Sequence, residues 1–146
     1  MKLVLIVEDE HGAAEVLQML LESHDYRVAA AANGEEAIKL LGAEKPALIL
    51  SDFMMPYMTG AELGIHVRRE PLLRDIPFVF MSGTDEAIVR RAFKDYDAFI
   101  AKPYEVDQIL AILDRLMASG RPTTTAEDVD VSQDQLLKGI ALPPES

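Results

Sequence analysis

Residues 47–52 have the sequence ALILSD, an apolar run that ends in an acidic residue. Four consecutive apolar residues are typical of a parallel strand that is covered on both of its faces. An acid directly after such a strand stands at the carboxyl edge of the sheet, where open α/β sheets bind their ligands. The stretch therefore predicts a buried parallel strand with Asp52 at a functional edge.

Three further apolar runs, VLIV, FVFM and AFIA, end in polar side chains in the same way. They are followed by Glu8 and Asp9, by Ser82, and by Lys102, respectively. Because the carboxyl ends of parallel strands share one edge, we expect three carboxylates, one hydroxyl and one ammonium group to converge there. Such a set suits phosphoryl transfer with a hard cation. Spacing alone supports only an anion and metal site.

Strand and helix patterns alternate from residue 2 to about residue 118. The strands are predicted at residues 2–7, 26–30, 47–52, 78–81 and 98–101, and the helices at 10–23, 33–41, 59–69, 85–94 and 105–117. Five strands that alternate with five helices imply parallel pairing through right-handed crossovers. We therefore expect an α/β fold with a doubly wound, five-stranded parallel sheet flanked by five helices.

The helix patterns predict both caps and buried stripes. Asn33 and Thr59 are each followed by glutamate three residues later, which is the pattern of a capping box. Apolar residues at helical spacing predict the buried sides of the first and fourth helices. These residues are Ala13, Val16, Leu17, Leu20 and Leu21 in the first helix, and Ile88, Val89, Ala92 and Phe93 in the fourth.

The composition excludes several classes of protein. The chain has 146 residues, of which 25 are acidic and 14 basic, and its net charge of -11 opposes binding to nucleic acids. It contains no cysteine, so disulfides and thiolate chemistry are excluded. No signal-peptide pattern is present, and nothing approaches the roughly 20 apolar residues of a membrane span. We expect a soluble cytoplasmic protein without a membrane or nucleic-acid partner.

The residues at the strand ends resemble those of the receiver domain of two-component response regulators. The matching residues are Glu8-Asp9, Asp52 followed by Met55-Pro56, Ser82-Gly83 and Lys102-Pro103. Each is weak alone, but together, in this order, they are a specific signal. The resemblance implies a flavodoxin-like receiver topology in a stand-alone regulator of the chemotaxis type. We assign residues 1–119 to the receiver domain and residues 120–146 to an acidic polar tail, in which 133–138 could form a short helix.

The resemblance also implies the chemistry of the site. Asp52 would accept a phosphoryl group from a phosphohistidine and form an acyl phosphate. Glu8, Asp9 and Asp52, with the backbone carbonyl of Met54, would bind Mg²⁺, which prefers hard oxygen ligands. Two departures from the family pattern concern these residues. Glu8 replaces a common aspartate and is expected to hold the metal through water, and the apolar Met54 side chain suggests slow loss of phosphate, although Thr84 could compensate.

Three further residues have roles that the resemblance implies. Ser82 would donate a hydrogen bond to one phosphoryl oxygen, and Lys102 would reach another as a flexible positive charge. Phe99 occupies the place of the aromatic switch residue, which turns inward when the hydroxyl moves toward the phosphoryl group. The surface that changes would be the face of the fourth helix, fifth strand and fifth helix, which could also support a homodimer.

The basic side chains of the fourth helix belong to that face. Arg90, Arg91 and Lys94 could pair with Asp95, with Asp97 or with an acidic partner. Surface charges of this kind are more often only solvated. Within this family, we expect the phosphodonor to be a sensor histidine kinase or a histidine phosphotransfer protein, and the output to be contact with a downstream protein.

Other classes fit the residues less well. A haloacid-dehalogenase type of phosphatase needs a second acid at the position of Met54. A flavodoxin-like cofactor protein needs a phosphate loop after the first strand, where Glu8 and Asp9 would repel the phosphate. The chain is therefore predicted to be a phosphorylation-dependent switch and not an enzyme. The alternatives are a receiver-like interaction module that is not phosphorylated, or the receiver part of a longer regulator.

Overall fold

The computed structural model describes residues 1–121, and the predicted α/β fold is confirmed in them. The strands are β1 (Leu3–Val7), β2 (Arg27–Ala31), β3 (Leu48–Asp52), β4 (Phe78–Ser82) and β5 (Ala98–Ala101). The helices are α1 (His11–Glu22), α2 (Gly34–Ala43), α3 (Gly60–Arg69), α4 (Glu86–Ala92) and α5 (Val106–Ser119). All strands pair in parallel in the order β2-β1-β3-β4-β5. The predicted ends of the elements differ from the observed ends by no more than two residues.

Two apolar clusters, one on each face of the sheet, form the core. Leu5 and Val7 of β1 lie in the cluster with α2, α3 and α4, whereas Val4 and Ile6 lie in the cluster with α1 and α5. Successive side chains of a strand point to opposite faces, so a strand covered on both faces must be apolar throughout. Each fully buried aliphatic side chain contributes about 1.5–3 kcal/mol, which explains why the apolar runs specify the sheet.

The strand order places a crevice between β1 and β3. The chain passes from β1 outward to β2 and then returns to the other side of β1 as β3. Connections therefore leave these two adjacent strands in opposite directions, and ligands bind at such a switch point. Val7 pairs with Ser51, so the residues that follow them, Glu8 and Asp52, come next to each other at this edge.

Both predicted helix caps are present, and one of the two boxes is complete. The Thr59 hydroxyl accepts a hydrogen bond from the Glu62 N–H at 3.1 Å, and the Glu62 carboxylate accepts one from the Thr59 N–H at 2.9 Å. Asn33 caps α2 through the Glu36 N–H, but the Glu36 carboxylate accepts from Ala32. Side-chain caps satisfy backbone donors that have no partner inside the helix.

Gly60, the first residue of α3, lies too close to the end of β3 for a larger side chain. A Cβ atom at this position would lie 2.3 Å from the Asp52 carbonyl oxygen and 2.9 Å from the ring of Phe80. The Gly60 N–H donates to the Phe53 carbonyl at 2.8 Å. Glycine therefore allows α3 to begin directly against the strand that carries Asp52.

The buried stripes of α1 and α4 were predicted only in part. Val16 is exposed in α1, where Ala14, Leu17 and Leu21 are buried. In α4 the stripe is narrower than predicted, because Ile88 is exposed and so is Ala92. Both helices carry more apolar residues than one side can bury, and the sequence pattern does not show which of them face solvent.

The predicted pairing of the α4 basic residues with Asp95 or Asp97 is wrong. The side chain of Asp97 is 3% exposed and pairs with Arg68 at 3.0 Å and with Arg121 at 2.9 Å. The same two arginines pair with Asp95. Because Arg68 lies on α3 and Arg121 follows α5, only the folded chain brings them to this corner. Arg90 has other partners, described below.

Among the described helices, none combines the length and the hydrophobicity that crossing a membrane requires. The acidic tail, apart from its first two residues, and the helix predicted at 133–138 lie outside the described residues.

Candidate functional site

Four of the predicted side chains meet at the carboxyl edge of the sheet. Asp52 ends β3, Glu8 and Asp9 follow β1, and Lys102 follows β5. The Lys102 Nζ atom donates to Glu8 Oε1 at 3.0 Å and to Asp52 Oδ2 at 3.2 Å. Each of the three acids offers a carboxylate oxygen, and these oxygens lie within 4.8 Å of one another. The edge therefore holds three neighbouring carboxylates, two of which contact one ammonium group.

The carboxyl group of Asp52 is buried and held by two donors. The residue is 8% exposed, its Oδ1 accepts the Phe53 N–H at 2.9 Å, and its Oδ2 faces Lys102. Burial, and next the charge of Glu8, raise the pKa of Asp52 to about 6, although Lys102 acts in the opposite direction. The local charge balance is therefore negative, and a cation bound here would stabilise the ionised form.

Lys102 joins the two buried acids and remains protonated at neutral pH. Burial lowers its pKa, but the hydrogen bond to Glu8 and the charges of Asp52 and Glu8 outweigh that effect, so the pKa is raised. The backbone N–H of Lys102 donates to the Ser82 carbonyl at 2.8 Å, which places the lysine by extending the pairing of β4 with β5. A charged donor is thus fixed beside the Asp52 carboxylate.

Glu8 and Asp9 have different surroundings although they are neighbours in sequence. Glu8 is 4% exposed, and its second oxygen, Oε2, accepts the Glu10 N–H at 3.2 Å. Both oxygens of Glu8 therefore have protein donors. Asp9 is exposed and faces the solvent side of the site. Asp9 is thus better placed than Glu8 to bind directly to a metal ion that arrives from solvent.

Ser82, Phe99 and Met54, the other predicted site residues, make no side-chain hydrogen bond or ion pair to this cluster within the described part of the chain. Ser82 ends β4 and is buried, and within residues 1–121 its hydroxyl accepts the Thr84 N–H at 2.9 Å and makes no hydrogen bond to Asp52. Phe99 is half-buried in β5 and pairs in register with Phe80. The side chain of Met54 is 61% exposed.

The sequence patterns did not predict a hydrogen-bonded cluster on α4. The Tyr96 hydroxyl donates to Glu86 Oε2 at 2.6 Å, and Arg90 contacts both of these side chains. The spacing of Glu86 and Arg90 was a visible signal, because residues four apart on a helix are neighbours. Nothing in the local pattern indicated that Tyr96, which precedes the next strand, would join them.

A buried aspartate beside two acids and a lysine, at the switch point of a five-stranded parallel sheet, is the arrangement expected of a receiver domain. The chain belongs to the response regulator receiver domain family, whose model matches residues 4–114. It is a receiver domain of a two-component system, a family of phosphoacceptor switches and not of conventional enzymes. The family that the sequence predicted is thereby confirmed, and phosphorylation-dependent two-component regulation fits it.

Individual relatives agree with this assignment. The chain is 34% identical over 128 residues to the response regulator Rre1 of Synechocystis sp., covering 84% of this chain and 54% of Rre1. This chain thus spans little more than half of that relative. Among solved structures, the signal receiver domain of a histidine kinase from Syntrophus aciditrophicus has 32% identity and a TM-score of 0.76, covering 86% of this chain and 97% of that chain. The response regulator TrrA of Thermotoga maritima, in complex with Mg²⁺-BeF, has 25% identity and a TM-score of 0.73, and the match covers 80% of this chain and 99% of that chain.

Proposed function

We propose that Asp52 is the phosphoacceptor of this receiver domain and that its phosphorylation switches a protein-interaction surface. The observation that carries this proposal is the buried carboxylate of Asp52, held 3.2 Å from Lys102 beside Glu8 and Asp9. The donor is a phosphohistidine on a sensor histidine kinase or a histidine phosphotransfer protein. The receiver family implies such a donor, because its members act in two-component systems.

In the proposed reaction an Asp52 carboxylate oxygen attacks the phosphorus atom. An O–P bond forms, the N–P bond of the phosphohistidine breaks, and the histidine leaves with the bonding electrons. Attack brings together two negatively charged groups, so the site must neutralise charge. The Phe53 N–H holds one carboxylate oxygen, and Lys102 provides a positive charge that can follow the phosphoryl oxygens. Ser82 is proposed to donate to another phosphoryl oxygen after its hydroxyl leaves Thr84.

The acidic cluster fits Mg²⁺ in composition and size. Two ligands of one octahedral Mg²⁺ ion lie at most about 4.2 Å apart, because each Mg–O distance is about 2.1 Å. The carboxylate oxygens of Glu8, Asp9 and Asp52 lie within 4.8 Å of one another. This separation suits direct binding of the ion by Asp9 and Asp52 and binding through a water molecule by Glu8. The backbone carbonyl of Met54 is the fourth proposed ligand. When bound, Mg²⁺ would neutralise the charge of the incoming phosphoryl group.

The remaining features of the proposal concern what phosphorylation changes. Phe99 is the proposed switch residue, and the face formed by α4, β5 and α5 is the proposed surface for a downstream protein or for a homodimer. Residues 1–119 would form the receiver domain and residues 120–146 a tail. Turnover would be limited to self-phosphorylation from small donors and slow loss of phosphate. Cytoplasmic location stays a prediction.

The proposal is tested by phosphorylation with acetyl phosphate and Mg²⁺, followed by intact mass. We expect the wild type to gain one phosphoryl group only when Mg²⁺ is present, and Asp52→Asn to gain none. Asp75→Asn is the matched control, because it makes the same chemical change at an exposed position. Equal labelling of wild type and Asp52→Asn would disprove the role of Asp52. If the wild type binds Mg²⁺ but accepts no phosphate from acetyl phosphate or from a histidine kinase, the chain is a phosphorylation-independent module.

A further inference from the structure

Helix α4 is held to the domain by little apolar contact. It has seven residues and only Val89 is buried, whereas α3 buries five residues along ten. Phe93, directly after α4, is also buried. A helix with so few buried side chains opens more easily than its neighbours, because local stability follows the number of buried apolar contacts. Polar contacts therefore have a larger share in placing α4.

Tyr96 provides such a contact from outside the helix. Its hydroxyl donates to Glu86 Oε2 at 2.6 Å, and Arg90 donates to the same Oε2 at 3.1 Å and to the Tyr96 oxygen at 3.3 Å. Glu86 and Arg90 both belong to α4, so their ion pair does not attach the helix to anything else. Within this cluster, Tyr96 alone joins the helix to the segment that leads into β5.

The ring of Tyr96 connects this cluster to the phosphoacceptor side of the core. It contacts Phe80 edge to face, with ring centroids 5.4 Å apart, and lies 6.4 Å from Phe99. Phe80 in turn contacts Phe53 at 5.8 Å, and the backbone N–H of Phe53 donates to Asp52. Contacts thus continue from the Asp52 carboxylate to the hydroxyl that holds α4. Aromatic rings prefer edge-to-face contact, and a close-packed interior transmits the displacement of one side chain to its neighbours.

We propose that Tyr96 is the positioning residue of the switch: its hydroxyl holds α4 through Glu86, and phosphorylation of Asp52 releases that bond. This inference rests on the proposed function, because it names the contact through which the acceptor changes the α4 surface. Phe99 has no hydroxyl, so a bond of this kind cannot come from the residue at the family's switch position. If α4 has a held and a released state, a phosphoryl group that favours the released state is sufficient to change the interaction surface.

Hydrogen exchange of the unphosphorylated protein tests the positioning role. Tyr96→Phe removes the hydroxyl and keeps the ring, and with it the bonds to Glu86 and from Arg90. We expect exchange in residues 86–93 to accelerate about threefold to tenfold. Glu86→Ala should accelerate the same amides, and the effect of the double variant should be smaller than the two effects combined, since both changes remove the bond between Tyr96 and Glu86. Tyr57→Phe is the matched control, because Tyr57 is 89% exposed. Unchanged exchange in Tyr96→Phe, or full additivity with Glu86→Ala, would overturn the role of Tyr96.

Hydrogen exchange after phosphorylation tests the release. With acetyl phosphate and Mg²⁺, exchange of residues 86–93 should rise in the wild type and rise much less in Tyr96→Phe, in which the bond is already absent. An equal rise in both proteins would overturn the release while leaving the proposed function intact. Failure of the wild type to gain a phosphoryl group from acetyl phosphate and from a histidine kinase, shown by intact mass, would instead overturn the proposed function together with the release.

Discussion

Replacing Asp52 by asparagine should stabilise the metal-free protein while abolishing its function. Asp52 and Glu8 are both buried, and one ammonium group, from Lys102, faces the two carboxylates. Asparagine keeps the shape of the side chain and removes the charge. The cost of holding a buried charge next to another is thereby relieved, since the ionised form is the one that burial disfavours.

The magnitude follows from the pKa of Asp52, which burial and the charge of Glu8 raise from 3.8 to about 6. Each pKa unit corresponds to about 1.4 kcal/mol, so the ionised carboxylate destabilises the fold by about 3 kcal/mol above pH 6. This value already includes the opposing effect of Lys102, because the ion pair lowers the same pKa. We therefore expect Asp52→Asn to be about 3 kcal/mol more stable than the wild type at pH 7.5.

The stability advantage of Asp52→Asn over the wild type should shrink as the pH falls. Because the folded protein holds the proton of Asp52 more tightly than the unfolded chain, this group stabilises the fold fully below pH 3.8 and loses that contribution as the pH rises through 6. The wild type should therefore approach the stability of the Asn variant as the pH falls from 7.5 to 4.5. Mg²⁺ should also reduce the difference in stability at pH 7.5, because it should stabilise the wild type more than the variant.

Urea unfolding in EDTA at pH 7.5 and at pH 4.5 measures these differences, with Asp75→Asn as the matched control. The control should match the wild type at both pH values, because Asp75 is exposed. If Asp52→Asn is no more stable than the wild type at pH 7.5, or if its advantage is the same at pH 4.5, then Asp52 does not hold a destabilising buried charge and the reasoning fails.

Two further substitutions test contacts outside the acidic cluster. Gly60→Ala should destabilise the protein by about 1–3 kcal/mol in urea unfolding, because its Cβ would lie 2.3 Å from the Asp52 carbonyl oxygen. Gly12→Ala is the control and should not destabilise the protein, because the space around Gly12 is open. Equal effects of the two substitutions would refute the close contact. Tyr26 donates to Asp114 at 2.6 Å, and burial first, then this bond, raise its pKa to about 12. Its stabilising effect should thus be complete below pH 10 and decline as the pH rises to 12, so the difference between wild type and Tyr26→Phe should shrink between pH 9 and pH 11; a constant difference would contradict the shift.

The strand ends were predictable because each depends on a local pattern. A short run of consecutive apolar residues is typical of a parallel strand that is covered on both faces, so the polar residue that follows it is expected at the edge. Asp52, Glu8 and Lys102 all lie there, although β5, which leads to Lys102, buries only Ile100 fully. In the helices the same kind of pattern was less decisive, since Val16 and Ile88 are apolar and yet exposed. The side of a helix that is buried depends on the neighbours that cover it.

The amino-acid sequence by itself determined the order of the elements, the parallel sheet and the identity of the residues at its carboxyl edge, because backbone pairing and hydrophobic periodicity act over a few residues. Only the tertiary structure decided which charges meet. Lys102 reaches Glu8 across 94 positions of sequence and Asp52 across 50, and Tyr96, which no local pattern singled out, holds α4. Such contacts depend on how helices and strands lie against one another, and no short stretch of sequence contains that information.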